Sequence, residues 1–206
     1  ARAGGADPGF PGRARDGVIR AVLWDADGVL QETPPGTWTE ATAVVREFPG
    51  YLTGAVVDEE RIAAVVARLG MSDRLEEILS VWSAFEVLTE TLAVVREVRA
   101  AGTPCYLTTN QDFYRASRMR LLTPYADLLD GAYYSCDLGV AKPDAAYFLH
   151  VANDLGLPPA DLLFLDDQPE NVDGARAVGL AAEQWHHTQG VDVLRDLLAA
   201  HGVTLR

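Results

Sequence analysis

Val18-Ile19-Arg20-Ala21-Val22-Leu23-Trp24 runs directly into Asp25-Ala26-Asp27-Gly28-Val29-Leu30. An apolar run that stops in two carboxylates and a glycine reads as a buried strand ending at a polar rim. Side chains two apart leave a strand on the same side, so Asp25 and Asp27 converge beyond its carboxyl end. Two desolvated carboxylates repel each other unless a proton or a cation sits between them. The pair therefore points to a hard cation and to chemistry rather than to a solvated strand terminus.

Working outward, Cys105-Tyr106-Leu107-Thr108-Thr109 reads as a second strand, followed by Asn110 and a helix through Arg120. Gly131-Ala132-Tyr133-Tyr134-Ser135 is a third, Leu162-Leu163-Phe164-Leu165 a fourth that ends in Asp166-Asp167, and 180–185 a fifth. Between the first two strands the pattern is helical. Ile62, Val65, Val66 and Leu69 recur at helical spacing with Gly70 placed to stop them. Leu75, Ile78, Leu79 and Trp82 repeat it, with Asp73 and Glu76 spaced as a capping box. A further helix spans 89–101, and nothing between about 35 and 88 alternates like a strand. Pro143 is read as the first residue of a later helix, where a missing N–H costs nothing, and a last helix closes the chain at 191–200. Strands alternating with helices predict an α/β fold: a Rossmann-like, doubly wound parallel sheet of about five strands with an inserted all-helical cap. Ligands of such sheets bind beyond the carboxyl ends of the strands. Asp25, Asp27, Thr109, Asn110, Asp166 and Asp167 all fall there, and Lys142 opens the helix after the third strand.

Composition narrows the partners. The net charge of −13 argues against nucleic acid or an anionic membrane as partner, and no apolar run of about 18 residues exists to span a bilayer. Any phosphate must be held by local cations. Lys142 is the one lysine among 17 basic residues, a compact ammonium in a chain that otherwise uses arginine. Cys105 and Cys136 make no disulfide framework and suit a reducing, cytoplasmic setting. Residues 1–17, rich in Ala, Gly, Arg and Pro, read as a loose arm.

Carboxylates, a hydroxyl and an ammonium on one rim select Mg²⁺, which is held by a few carboxylates together with substrate phosphate. Lys142 neutralises a phosphoryl oxygen or the attacking carboxylate. The Thr109 hydroxyl and loop N–H groups, with Gly28 in the loop, bind the remaining oxygens. One carboxylate is an in-line nucleophile, and an acid two residues away serves the leaving group and then the water.

These residues resemble the motifs of the haloacid dehalogenase-like superfamily, in its capped phosphatase branch. Asp25-Ala26-Asp27-Gly28-Val29 is similar to the first motif and Leu107-Thr108-Thr109-Asn110 to the second. Gly139-Val140-Ala141-Lys142-Pro143-Asp144 resembles the third and Phe164-Leu165-Asp166-Asp167 the fourth, with Asn171 following; all occur in family order across about residues 18–200. The resemblance implies that Asp25 is the nucleophile and Asp27 the general acid and base. It further implies Mg²⁺ on Asp25, the Asp27 carbonyl and Asp167, with Asp166 acting directly or through water. Thr109, Asn110 and Lys142 would hold the phosphoryl group of a small phosphorylated substrate. The implied core is 18–32 with 101–206, and the implied cap is 33–100.

A phosphatase acting on a sugar phosphate or similar ester is the leading reading, and a sugar-phosphate mutase of the same fold is the alternative. Asp27 argues against a 2-haloacid dehalogenase, a cap without lysine against a Schiff-base phosphonate hydrolase, and the order of the motifs against a signalling receiver. A non-catalytic binding protein leaves the full set of chemical groups without a use. Trp38, Trp82 and Phe85 are expected to pack the cap, and Glu40, Glu86 and Glu90 to be solvated. His150, His186, His187 and His201 are expected to be loop or surface residues, and Arg115 and Arg118 to lie on a helix surface.

Overall fold

The computed structural model describes residues 18–34 and 41–206, so the arm at 1–17, Trp38 and Glu40 lie outside the described residues. In chain order the strands are β1 (Ala21–Trp24), β2 (Gln31–Glu32), β3 (Glu86–Val87), β4 (Cys105–Thr109), β5 (Gly131–Tyr134), β6 (Leu162–Asp166) and β7 (Ala181–Gln184). The helices are α1 (Ala41–Val45), α2 (Glu59–Arg68), α3 (Leu75–Ser80), α4 (Thr89–Ala100), α5 (Phe113–Leu122), α6 (Tyr125–Leu128), α7 (Ser135–Leu138), α8 (Ala145–Leu155), α9 (Pro169–Ala177) and α10 (Val191–Ala200).

Five strands form one parallel sheet in the order β5-β4-β1-β6-β7. Parallel strands covered on both faces read as continuous apolar runs, and β1 is buried along its whole length. Its side chains alternate: Val22 and Trp24 pack with Val94, Val95 and Val98 of α4, Met119 of α5 and Leu194 of α10. Ala21 and Leu23 face the opposite layer, with Tyr147, Phe148 and Val151 of α8 and Val172 and Ala175 of α9. The chain order reverses at β1, between β4 and β6, which places the crevice at the carboxyl end of β1.

A third cluster stands apart from both layers. Ala41 and Val44 of α1, Ile62 and Val66 of α2, Ile78 of α3, and Val57, Val81 and Trp82 enclose one another. Asp58 starts α2 by accepting the Arg61 N–H at 2.9 Å, one of the unpaired donors of a helix start. Gly70, with φ of +74°, follows its end as expected.

Four local expectations change. The helix α4 belongs with the sheet, not with the inserted helices, because Leu92, Val94, Val95 and Val98 are buried in the β1 cluster. Glu86–Val87 forms a two-residue strand against Gln31–Glu32, too short for alternation to reveal. Asp73 does not cap α3: it lies within a 3-10 turn at Ser72–Arg74, and no side chain caps α3. Pro143 precedes the helix rather than opening it, since Asp144 caps α8 by accepting the Ala146 N–H at 2.8 Å.

Candidate active site

The carboxyl ends of β1, β4 and β6 bring together Asp25, Thr109 and Asp166, and the loop before α8 delivers Lys142. Lys142 is the electrostatic centre, its side chain 1 % exposed. Its Nζ donates to Asp25 Oδ1 at 2.6 Å, Asp166 Oδ2 at 2.6 Å and the Thr108 carbonyl at 2.9 Å. All three ammonium hydrogens are thus committed. Burial would discharge the amine, but the flanking carboxylates of Asp25 and Asp166 outweigh it and hold its pKa above the ordinary lysine value. The loop is fixed by a reciprocal amide pair: Asn110 Nδ2 donates to the Lys142 carbonyl at 2.8 Å, and the Lys142 N–H donates to Asn110 Oδ1 at 2.9 Å. On its outer side the loop touches α9, where a Cβ on Gly174 would meet the Pro143 carbonyl oxygen at 2.4 Å.

The four acids occupy different environments. Burial raises the Asp25 carboxyl well above the usual range; Lys142 opposes the shift and Asp166 adds to it. Asp166 is fully buried and fully used. Its Oδ1 accepts from the Gln168 N–H at 2.8 Å, Asn171 Nδ2 bridges both oxygens at 3.1 Å, and Oδ2 takes Lys142. Asp167 is more open, and burial beside Asp166 raises its carboxyl. Asp25, Asp166 and Asp167 present carboxylate oxygens within 4.8 Å of one another. One buried ammonium does not balance three carboxylates, so the donor set is short of positive charge and consists of hard oxygens. It fits Mg²⁺.

Asp27 is dressed differently. Its Oδ1 accepts from Arg115 Nη2 at 2.8 Å and Gln31 Nε2 at 2.9 Å, and its Oδ2 from Gln111 Nε2 at 2.8 Å. Burial would raise its carboxyl, but the Arg115 guanidinium and these amides hold it below the usual carboxylate range. Arg115 is not a helix-surface residue: it is 3 % exposed, and its Cζ lies 5.3 Å from the Phe85 ring centroid. Arg118 reaches Ser83 Oγ at 2.9 Å. A buried arginine leaves no mark in hydrophobic periodicity, and neither Gln31 nor Gln111 stands out in the sequence.

The expected positions of Thr109 and Gly28 divide. Strand alternation turns Thr108 away, its hydroxyl donating to the Trp24 carbonyl at 3.3 Å, while Thr109 faces the cleft and accepts from Gln111 Nε2 at 3.1 Å. The Gly28 N–H is given to the Gln31 carbonyl at 2.7 Å rather than left for a ligand. What glycine supplies is close approach, for at φ +80° a Cβ would meet Asp167 Cγ at 2.9 Å. His186 and His187 lie in a turn after β7, and both turn their Nε2 atoms to Glu32. Trp82 packs in the helical cluster as expected and donates to Asp112 Oδ2 at 3.0 Å, and Glu86 and Glu90 are exposed.

Two cavities meet at Asp27 and Asn110. A cleft of about 280 Å³ holds Asp25, Thr109, Lys142 and Asp167. A larger cavity of about 530 Å³ lies under the inserted helices, against Val45, Tyr51 and Leu52 on one side and Gln111 and Arg115 on the other.

Comparison with known proteins shows the family and the fold. The family model of haloacid dehalogenase-like hydrolases matches residues 19–179. A phosphatase of Mycobacterium tuberculosis is 29% identical over 80% of this chain and 86% of its own length. A sesquiterpene phosphatase of Aspergillus oryzae is 34% identical over 43% of this chain, a match spanning 45% of that protein. Among solved structures, a haloacid dehalogenase-like family enzyme from Bacteroides thetaiotaomicron, in complex with magnesium and inorganic phosphate, superposes with a TM-score of 0.72. It is 19% identical, covering 85% of this chain and 98% of that one.

Proposed function

The chain belongs to the haloacid dehalogenase-like hydrolase family, and on that premise we propose that it is a Mg²⁺-dependent phosphatase hydrolysing a small phosphomonoester through an aspartyl-phosphate on Asp25. The observation that carries this reading is the pairing of Asp25 with Lys142 two residues from an acid in a wholly different environment, Asp27. Lys142 beside Asp25 offsets the carboxylate charge that attack on a phosphate must overcome, while Asp27 stands where the two cavities meet, next to the space for the leaving group.

A carboxylate oxygen of Asp25 attacks phosphorus in line while the ester P–O bond breaks. Asp27 passes a proton to the departing alkoxide. That proton enters with the phosphomonoester, whose second pKa of about 6 keeps part of it monoanionic, and passes by way of Asp27 to the alkoxide. Asp27 then takes a proton from the water that attacks the aspartyl-phosphate, releasing inorganic phosphate and restoring Asp25. The Thr109 hydroxyl holds a phosphoryl oxygen, Lys142 supplies positive charge beside the attacking Asp25 oxygen, and Asn110 keeps the Lys142 loop in place. Asp25, Asp167 and the Asp27 carbonyl would hold Mg²⁺, with Asp166 behind them. Once bound, the ion neutralises the carboxylates facing the phosphoryl oxygens. The helical cluster of α1–α3 acts as the cap, and the cavity beneath it receives the leaving group. Among the described residues no helix is long and apolar enough to cross a membrane. The two buried free thiols support a cytoplasmic setting.

The test is phosphate release from an aryl phosphate, with Mg²⁺ and with a chelator, by this chain and by Asp25→Asn. Metal-dependent release that falls at least about a thousandfold in the variant is expected, as for loss of a covalent nucleophile. Release by Asp25→Asn at the parent rate overturns the assignment. Phosphate exchange between sugar phosphates without release would mark the mutase instead.

A further inference from the structure

We propose that Glu32, His186 and His187 form a second cation site, at the rim of the cleft, that takes Zn²⁺. His187 Nε2 lies 2.8 Å and His186 Nε2 3.5 Å from Glu32 Oε2, and the three ligand atoms lie within 4.8 Å of one another. Bonds of about 2.0–2.1 Å around tetrahedral zinc set its ligands about 3.4 Å apart. The two contacts to Glu32 bracket that spacing.

Ligand type separates this site from its neighbour. Asp25, Asp166 and Asp167 offer only carboxylate oxygen, the preference of Mg²⁺, whereas two imidazoles and a carboxylate suit zinc. The ligands are also oriented from behind. The Thr33 N–H donates to Glu32 Oε1 at 3.1 Å, leaving Oε2 for the imidazoles. His186 Nδ1 accepts the Thr188 N–H at 3.3 Å and lies 2.8 Å from Thr188 Oγ1, which fixes the ring with its Nε2 toward Glu32. The His187 N–H donates to the Gly28 carbonyl at 2.9 Å, and the His186 N–H to Gln189 Oε1 at 2.8 Å, so the turn is anchored before any ion arrives. All three ligand residues are partly exposed, which leaves an entry path and room for a water as fourth ligand.

A cation here ties β2 to the turn after β7. Glu32 and His186 also line the cleft that holds Asp25 and Lys142. Zinc would therefore stand at the cleft mouth and slow turnover, a consequence that rests on the phosphatase reading; the binding does not.

Calorimetric titration with Zn²⁺ in excess Mg²⁺ tests the site on the full chain, with the absorption of bound Co²⁺ as a second readout. One Zn²⁺ per chain is expected for the parent and for Asp167→Asn. At least a tenfold weaker affinity is expected for His187→Asn, His186→Asn and Glu32→Gln, each checked for an unchanged circular dichroism spectrum. Parent affinity in the folded histidine variants, or zinc binding lost in Asp167→Asn, overturns the proposal. Failure of the phosphatase assay would leave this result standing.

Discussion

Replacing Lys142 by methionine keeps the length of the side chain and removes one buried positive charge. The ammonium donates three hydrogen bonds, two of them charge-assisted at 2.6 Å, from a side chain 1 % exposed. Without it Asp25 and Asp166 face each other with no counter-ion. Breaking a buried ion pair by removing one partner costs about 3–5 kcal/mol, and two acceptors are stranded here, so about 4–5 kcal/mol is expected at pH 8. That is a large part of the roughly 5–15 kcal/mol that holds a domain folded. The loss depends on pH, with a definite sign. Asp25 already sits above the usual carboxylate range, and the substitution raises it further. The folded state then binds a proton that the unfolded state does not, between the unfolded carboxylate value near 3.9 and the raised folded one, so stability falls as pH rises through that window. Urea titrations followed by tryptophan fluorescence at pH 5 and pH 8, without Mg²⁺, measure it. The variant should lose markedly less stability against the parent at pH 5 than at pH 8. A variant within about 1 kcal/mol of the parent at pH 8, or a loss equal at both pH values, would refute the electrostatic account.

Arg115→Met should release Asp27 upward. A unit charge about 4 Å away is worth about 1 kcal/mol in water and about 4 at an effective dielectric near 20. With the Asp27 side chain 41 % exposed, about 1–2 kcal/mol, or about one pH unit, is expected after solvent screening. Carbon-13 NMR titration of the Asp27 carboxyl checks this, and an unmoved midpoint would contradict the role given to Arg115. Gly28→Ala combines φ of +80° with a Cβ 2.9 Å from Asp167 Cγ. About 1–2 kcal/mol of stability and at least about a tenfold loss in Mg²⁺ affinity are expected, the latter because Asp167 must move. Calorimetric Mg²⁺ titration at the parent affinity would show that the close approach is not required.

That Asp25, Thr109, Asp166 and Lys142 come together at one rim was legible because two periodicities speak directly to it. Alternation places Asp25 and Thr109 at the ends of apolar strands, and the α/β connection rule places strand ends on one side. The allegiance of α4 was not legible: Leu92, Val94, Val95 and Val98 make an apolar face that fits a cap as well as a sheet. Arg115 was hidden because a helix pattern records which face is apolar, not which single polar residue a neighbouring strand end will claim. The Glu32 cluster was hidden for a related reason. His186 and His187 converge only because the turn bonds back to the Gly28 carbonyl, 159 positions earlier in the chain. Asp73 and Glu76 had capping spacing, but the chain tightened into a 3-10 turn there.

Gly174 is remote from any expected chemistry, yet its bare Cα lets α9 rest on the Pro143 carbonyl. The strand before α9 carries Asp166, and the residue before Pro143 is Lys142, so this contact acts as a spacer between an anion and its cation. A methyl group at that point would have to push the two apart, and the 2.6 Å contact between Lys142 and Asp166 would lengthen with it. The strength of the active-site field is thus set in part from the back of the molecule, by the thickness of one helix face.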